Sequence, residues 1–369
     1  MSIRQLREMS NKYGANPEYV LAGGGNTSYK QDNIIYVKGS GMSLADITED
    51  GFVKMYRDSL DAIFSKEYSS DTDLREQQVL KDMMDARFAG EESKRPSVEA
   101  LLHNVFPFPF VLHIHAARVN GMTCGVDGKK FFDEYFLNDS VWIEPIMPGY
   151  ILSKKVREKI GEFTVENNTP PRFIFLENHG VFVGGETLKE IDTVTLDLLS
   201  RIDNLISSSP NFSDFNIDIN SHDEMIKILK NTYKCVNFTS NSELINFTQN
   251  ESAFISAYTS FTPDHIVYCK DKTLFLHDIS EADEKIKNFA VENNGPPKII
   301  GLLNSGFFTC CDSENEASTV QAVFLDAIKI AVYAKNFGGG KPMPKDLIYA
   351  INNWEVERYR KSVSVKNEN

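Results

Sequence analysis

Cysteine is scarce in this chain, with 5 among 369 residues, and none stands in a CxxC pair. Cys310 and Cys311 are adjacent, so neither a zinc knuckle nor a disulfide framework is indicated, and a reducing compartment fits. Positive charge is also short: 39 Lys and Arg against 52 Asp and Glu leave a formal charge of −13. Such a chain lacks the basic footprint of a nucleic-acid binder and is repelled by anionic membranes, so neither nucleic acid nor membrane is expected as a partner. No stretch approaches the roughly 18 apolar residues of a membrane span. The N-terminal MSIRQLREMSNKYGANPEYV is charged and amphipathic, without an apolar signal core, and a cytoplasmic location is expected. What is present is 41% hydrophobic and 11% aromatic content, enough for substantial cores in two domains or one large one.

Residues 110–121 read FVLHIHAARVNG, two histidines inside an apolar run that resembles a strand. Strand side chains alternate, so Phe110, Leu112 and Ile114 face one way while Val111, His113 and His115 face the other. Neighbouring imidazoles on one face suit a metal, although two hydrogen-bonded structural histidines fit the same pattern. A third histidine lies in Glu177-Asn-His-Gly180, a turn between the predicted strands 172–176 and 181–184, which together read as a hairpin. Three histidines would leave a coordination position open, as a catalytic zinc requires. Glu99 is the natural candidate acid–base residue, placed just after a predicted helix start at Pro96-Ser97, one turn before His103 and one short loop before the histidine strand. A solvated glutamate at a helix N-terminus is the alternative.

Elsewhere the pattern predicts helices over 6–13, 46–64, 71–88 and 186–207, a glycine-rich turn over 22–28 and a strand over 33–38. Residues 207–222, SSSPNFSDFNIDINSH, form the best linker, dividing a 1–208 domain from a 222–369 domain. A repeat crosses it. VENNTPPRFIFLENHG at 165–180 returns as VENNGPPKIIGLLNSG at 291–306, so a duplicated unit is inferred. In the second copy His179 becomes Ser305 and Glu177 becomes Leu303, which favours a chemical role for His179 over a folding role.

GGGNTS (23–28), YVKGSG (36–41), PSVEALLH (96–103), HIH (113–115) and ENHG (177–180) resemble, in this order, the motifs of the zinc-dependent class II aldolase family, which includes the adducin head domain. FTPDHIVY (261–268) and FGGGKPMPKDLIYAINNWEVERYR (337–360) further resemble the rhamnulose-phosphate aldolase-type segment of two-part aldolase/dehydrogenase proteins. No dinucleotide fingerprint follows a strand, so the dehydrogenase part is expected to be missing.

The resemblance implies an α/β fold, a three-layer α/β/α sandwich around a mainly antiparallel sheet, with a C-terminal α/β domain holding the degenerate copy. It implies zinc on His113, His115 and His179, with Glu99 as catalytic acid/base. Asn26, Ser40, Gly41 and Ser97 match the phosphate-binding positions, where backbone N–H groups and short hydroxyls cradle an anion, and Lys38 could add charge. Val98 and Gly23 depart from the hydroxyl-bearing residues of phosphate-handling members. The implied reaction is retro-aldol cleavage of a ketose 1-phosphate, of rhamnulose or fuculose type, to dihydroxyacetone phosphate and an aldehyde, by a homo-oligomeric lyase. Decarboxylase, dehydratase and epimerase chemistry and a non-catalytic adducin-like role are the alternatives. Epimerases of the family generally carry aspartate where Glu99 stands, and adducin-type members lack the histidines.

Overall fold

The computed structural model describes residues 2–214 and 220–353. The first lobe is built on β1 (Asn26–Gln31), β2 (Ile34–Lys38), β3 (Phe52–Tyr56), β4 (Phe110–Ile114), β5 (Ser140–Ile143), β6 (Phe173–Leu176) and β7 (Gly180–Gly185), ordered β3-β2-β1-β4-β7-β6-β5. All neighbours run antiparallel except β5 and β6. Phe110, Leu112 and Ile114 pack with Leu6 and Met9 of helix Ile3–Gly14 and Leu198 of helix Leu188–Asp203. Val111 packs on the other face, with Leu102 of helix Ala100–Val105 and Val156 of helix Tyr150–Asn167. The alternation read from the sequence thus separates the two helical layers of an α/β/α sandwich.

Two expected elements differ. The predicted helix over 46–64 contains β3, whose Phe52, Val53 and Met55 are buried by pairing with β2, and only Arg57–Ile63 is α-helical. The 22–28 turn becomes strand from Asn26 onward, because β1 lies between β2 and β4 despite its polar sequence NTSYKQ.

A second sheet contains β8 (Cys235–Thr239), β9 (Leu274–Leu276), β10 (Ile299–Leu302) and β11 (Gly306–Cys311), ordered β8-β11-β10-β9. It repeats the frame of β4-β7-β6-β5. Leu176 pairs with Gly180 as Leu302 pairs with Gly306, and β5 and β9 run parallel to β6 and β10. Asn178 and Asn304 are both left-handed, at φ 57° and 53°, and their N–H groups donate to the Thr123 and Thr248 carbonyls. Since Phe182 faces His113 and Phe308 faces Phe238, the register puts Phe238, Ser240 and Ser305 where His113, His115 and His179 stand. The second frame has none of the three imidazoles.

The lobes share a core. Val320, Phe324 and Ile328 of helix Glu314–Ala334 join Ala117 and Cys124 of the first lobe, and Gly121 permits close approach, since a Cβ there would stand 2.4 Å from Tyr333 Cβ. The stretch Glu314–Phe337 is long and apolar enough to cross a membrane, contrary to the expectation that no segment is, but 61% of its 18-residue apolar window is buried inside the molecule. All five cysteines are buried. Of the expected linker, residues 215–219 lie outside the described residues, as does the motif beyond 353. Ser207 bonds Asn336, and the Asn211 N–H donates to Glu243, so the start of the linker is laid along the second lobe.

Candidate functional site

The end of β4 and the turn from β6 to β7 bring His113, His115 and His179 together, with one ligand nitrogen from each lying within 4.8 Å of the others. His113 is fully buried and stacks on Phe182, ring centroids 4.0 Å apart and planes 12° from parallel. Its Nδ1 lies 3.1 Å from the Val181 carbonyl, which can only accept, so Nδ1 carries the proton. The same reasoning applies to His115 Nδ1, 2.6 Å from a carboxylate oxygen of Asp264. In that tautomer the neutral rings turn the lone pairs of their Nε2 atoms inward, 2.9 Å apart. Glu99 Oε1 stands 3.2 Å from His113 Nε2 and 3.7 Å from His179 Nε2.

These inward atoms of His113, His115 and Glu99 are all acceptors. Protonation is opposed by burial, which pushes His115 down and, together with the neighbouring His113 and His115, takes His179 to about 3. Three lone-pair donors facing one another without a proton repel unless a cation lies between them, and the donor set therefore fits a divalent metal. Burial alone would lift the Glu99 carboxyl. The His113 imidazole beside it, and less so those of His179 and His103, outweigh that and hold it well below the usual carboxylate range. Glu99 is an anion facing the cluster. It precedes helix Ala100–Val105 rather than lying inside it, at φ −86° and ψ 6°.

The cluster opens on a cleft lined by the polar residues Lys38, Ser40, Ser97, Glu99, His115 and His179, by Gly41, and by the apolar Val98, Leu102, Leu152, Pro263 and Ile351. A bridge between Gly39 and Pro96 sets the loop after β2 beside the segment carrying Ser97. Four of the five expected anion-binding residues thus line this cleft. The fifth, Asn26, is 1% exposed, and its amide donates to Ser97 Oγ at 2.6 Å and to Glu99 Oε2 at 3.2 Å. The backbone part of the expected cradle also differs. The N–H of Ser40 donates to the Arg95 carbonyl and that of Ser97 to the Lys38 carbonyl, so neither backbone group is left for an anion, and the Ser97 hydroxyl also accepts from the Glu99 N–H at 3.3 Å. Lys38 Nζ donates to the Gly23 carbonyl at 3.0 Å.

The second lobe reaches this site, which sequence reasoning did not anticipate. Helix Pro263–Cys269 sets Asp264 on His115, and Tyr268 OH accepts from the Gly23 N–H at 3.1 Å. Lys341 pairs with Glu177 at 2.6 Å, and its carbonyl accepts from the Asn178 amide. Asp264, Tyr268 and Lys341 all lie in the two C-terminal motifs quoted above, but no periodicity or spacing assigns them a partner in the first lobe.

Residues 4–198 match the family model described as Class II Aldolase and Adducin N-terminal domain. A curated relative from Bacillus subtilis (strain 168), named uncharacterized oxidoreductase YuxG, is 21% identical over 97% of this chain and 58% of its own length. The chain thus spans 58% of that relative. Among solved structures, the N-terminal class II aldolase domain of a conserved protein from Thermoplasma acidophilum is 26% identical, with 55% of this chain and 93% of that one covered at a TM-score of 0.47. An L-fuculose-1-phosphate aldolase from Thermus thermophilus is 15% identical, covering 55% of this chain and 89% of its own, at a TM-score of 0.34.

Proposed function

The chain belongs to the class II aldolase and adducin N-terminal domain family, and on that premise we propose that it is a zinc-dependent aldolase cleaving a ketose 1-phosphate to dihydroxyacetone phosphate and an aldehyde. The observation that carries this reading is the convergence of three imidazoles and one carboxylate on a cleft also lined by Lys38, Ser40 and Ser97. His113, His115 and His179 hold the zinc, which when bound polarises the substrate's ketone oxygen and offsets the charge that develops as the C3–C4 bond breaks. Glu99 moves the proton at the carbon freed by cleavage, a role that general acid–base residues fill with about 10²–10⁴-fold in rate. Lys38 and the hydroxyls of Ser40 and Ser97 bind the phosphate. The apolar wall of Leu102, Leu152, Pro263 and Ile351 shields the reacting end from water.

In this reading 1–208 carries the chemistry and 222–369 supports it, in a cytoplasmic homo-oligomer. The intact histidine set argues against a purely structural role. The test is turnover of a panel of ketose 1-phosphates with zinc added, following dihydroxyacetone phosphate directly. Release of carbon dioxide, loss of water or epimerised sugar in its place would assign the site to another reaction.

A further inference from the structure

Among the polar contacts of the histidine cluster, one comes from far away in the chain. Asp264 lies 149 residues beyond His115, yet its carboxylate meets His115 Nδ1 at 2.6 Å, and it is 8% exposed. The corresponding nitrogen of His113 is served within the first lobe, by the Val181 carbonyl. Gly24 leaves room for the contact: a Cβ there would stand 2.6 Å from the Asp264 carboxylate and 3.1 Å from His115 Nδ1. The segment carrying Asp264 is anchored on both sides. His265 bonds Thr262 at 3.1 Å and pairs with Asp326 of helix Glu314–Ala334 at 3.3 Å, while Tyr268 takes the Gly23 N–H.

Resting on the metal-centre reading above, we propose that Asp264 is a positioning residue that orients His115 and raises its basicity toward the metal, so that the second lobe is a working part of the first lobe's metal centre. A carboxylate on the outer N–H of a liganding imidazole fixes the tautomer and the ring angle and strengthens the inward nitrogen as a donor. The charged acceptor makes this bond stronger than the one His113 makes to a neutral carbonyl. The lobe that lacks histidines at Phe238, Ser240 and Ser305 of its own frame thereby serves the frame that kept them.

The test is zinc affinity of the full chain, measured by competition with a chromophoric chelator and without any substrate, together with the visible spectrum of the cobalt(II)-loaded protein. Asp264→Ala should weaken zinc binding about 10–100-fold and shift the cobalt bands. Asp264→Asn, which keeps the shape and one acceptor, should fall between it and wild type, and answers the question if the alanine variant does not fold. Lys329→Met removes an ion pair between the lobes, Lys329 Nζ to Glu18 at 2.6 Å, without touching the cluster, and should bind zinc as wild type does. Wild-type affinity and spectrum in both Asp264 variants overturn the inference alone. An equal loss in Lys329→Met overturns it too, by tracing the effect to lobe docking. A wild-type protein that holds no zinc overturns the metal-centre reading and this inference together, whereas zinc binding without aldol cleavage removes only the proposed reaction.

Discussion

Replacing Asn26 by alanine separates two roles for one residue. The family pattern makes Asn26 a phosphate contact, so its loss would raise KM for phosphorylated substrates. The geometry instead directs its amide to Glu99 Oε2 at 3.2 Å and Ser97 Oγ at 2.6 Å, at a site 1% exposed. Hydrogen bonds to charged groups contribute about 1.5–3 kcal/mol. At about 1.4 kcal/mol per factor of ten, losing the bond to Glu99 should lower kcat by roughly 10- to 150-fold. The loss should be alike on phosphorylated and unphosphorylated ketoses, because the proton-transfer group rather than the anion site is disturbed. Ser40→Ala is the contrasting variant, since Ser40 lines the cleft and should raise KM only where a phosphate is present. Steady-state kinetics on both substrates, with thermal unfolding to verify the fold, decide the matter. Unchanged kcat in Asn26→Ala with KM raised for the phosphorylated ketose alone would refute the reasoning and restore the direct contact.

The difference between what was legible in the sequence and what was not follows from the range of each interaction. His113 and Val111 share a face because the strand period is a local property, and the sheet's two helical layers preserve it. The hairpin from Phe173 to Gly185 and its second copy were readable because Pro-Pro, Asn and Gly recur in register and dictate the same turn. FVKMYRDSL reads as helix because its apolar residues fall at helical spacing, and only the pairing of Val53 with Val37 makes β3 of its first part. β1 carries almost no alternation, yet it is buried between two strands, with Asn26, Thr27 and Ser28 at 1%, 0% and 0% exposure. Its polar side chains are satisfied by partners elsewhere in the lobe: Ser28 by His103 and Thr27 by Ser10. Glu99 and the three histidines were identifiable as residue types within motifs. Asp264 was not, since a contact across 149 residues leaves no trace in local spacing.

Elemental analysis should find about one zinc per chain, falling sharply in His113→Ala and His179→Ala, because loss of one of three protein ligands greatly weakens such a site; undiminished zinc in both excludes the assignment. Glu99→Gln should lower turnover by about 10²–10⁴-fold while saturating zinc still fills the site, and full activity would remove Glu99 from the proton transfer. The repeat supplies the last test. Ser305 occupies the position of His179, but its hydroxyl donates only to the Leu303 carbonyl at 3.0 Å, and its own carbonyl accepts from Ser240 at 2.5 Å, so the serines close the second frame with short local bonds where the first gathers imidazoles. Ser305→Ala removes one such bond and leaves the Ser240 bond intact, a change of about 0.5–1.5 kcal/mol in stability at most. Zinc content and turnover should be those of wild type, read by elemental analysis and steady-state kinetics on the same preparation. If Ser305→Ala instead loses zinc or activity in step with His179→Ala, then the second frame takes part in the chemistry, and the division of labour between the lobes must be redrawn.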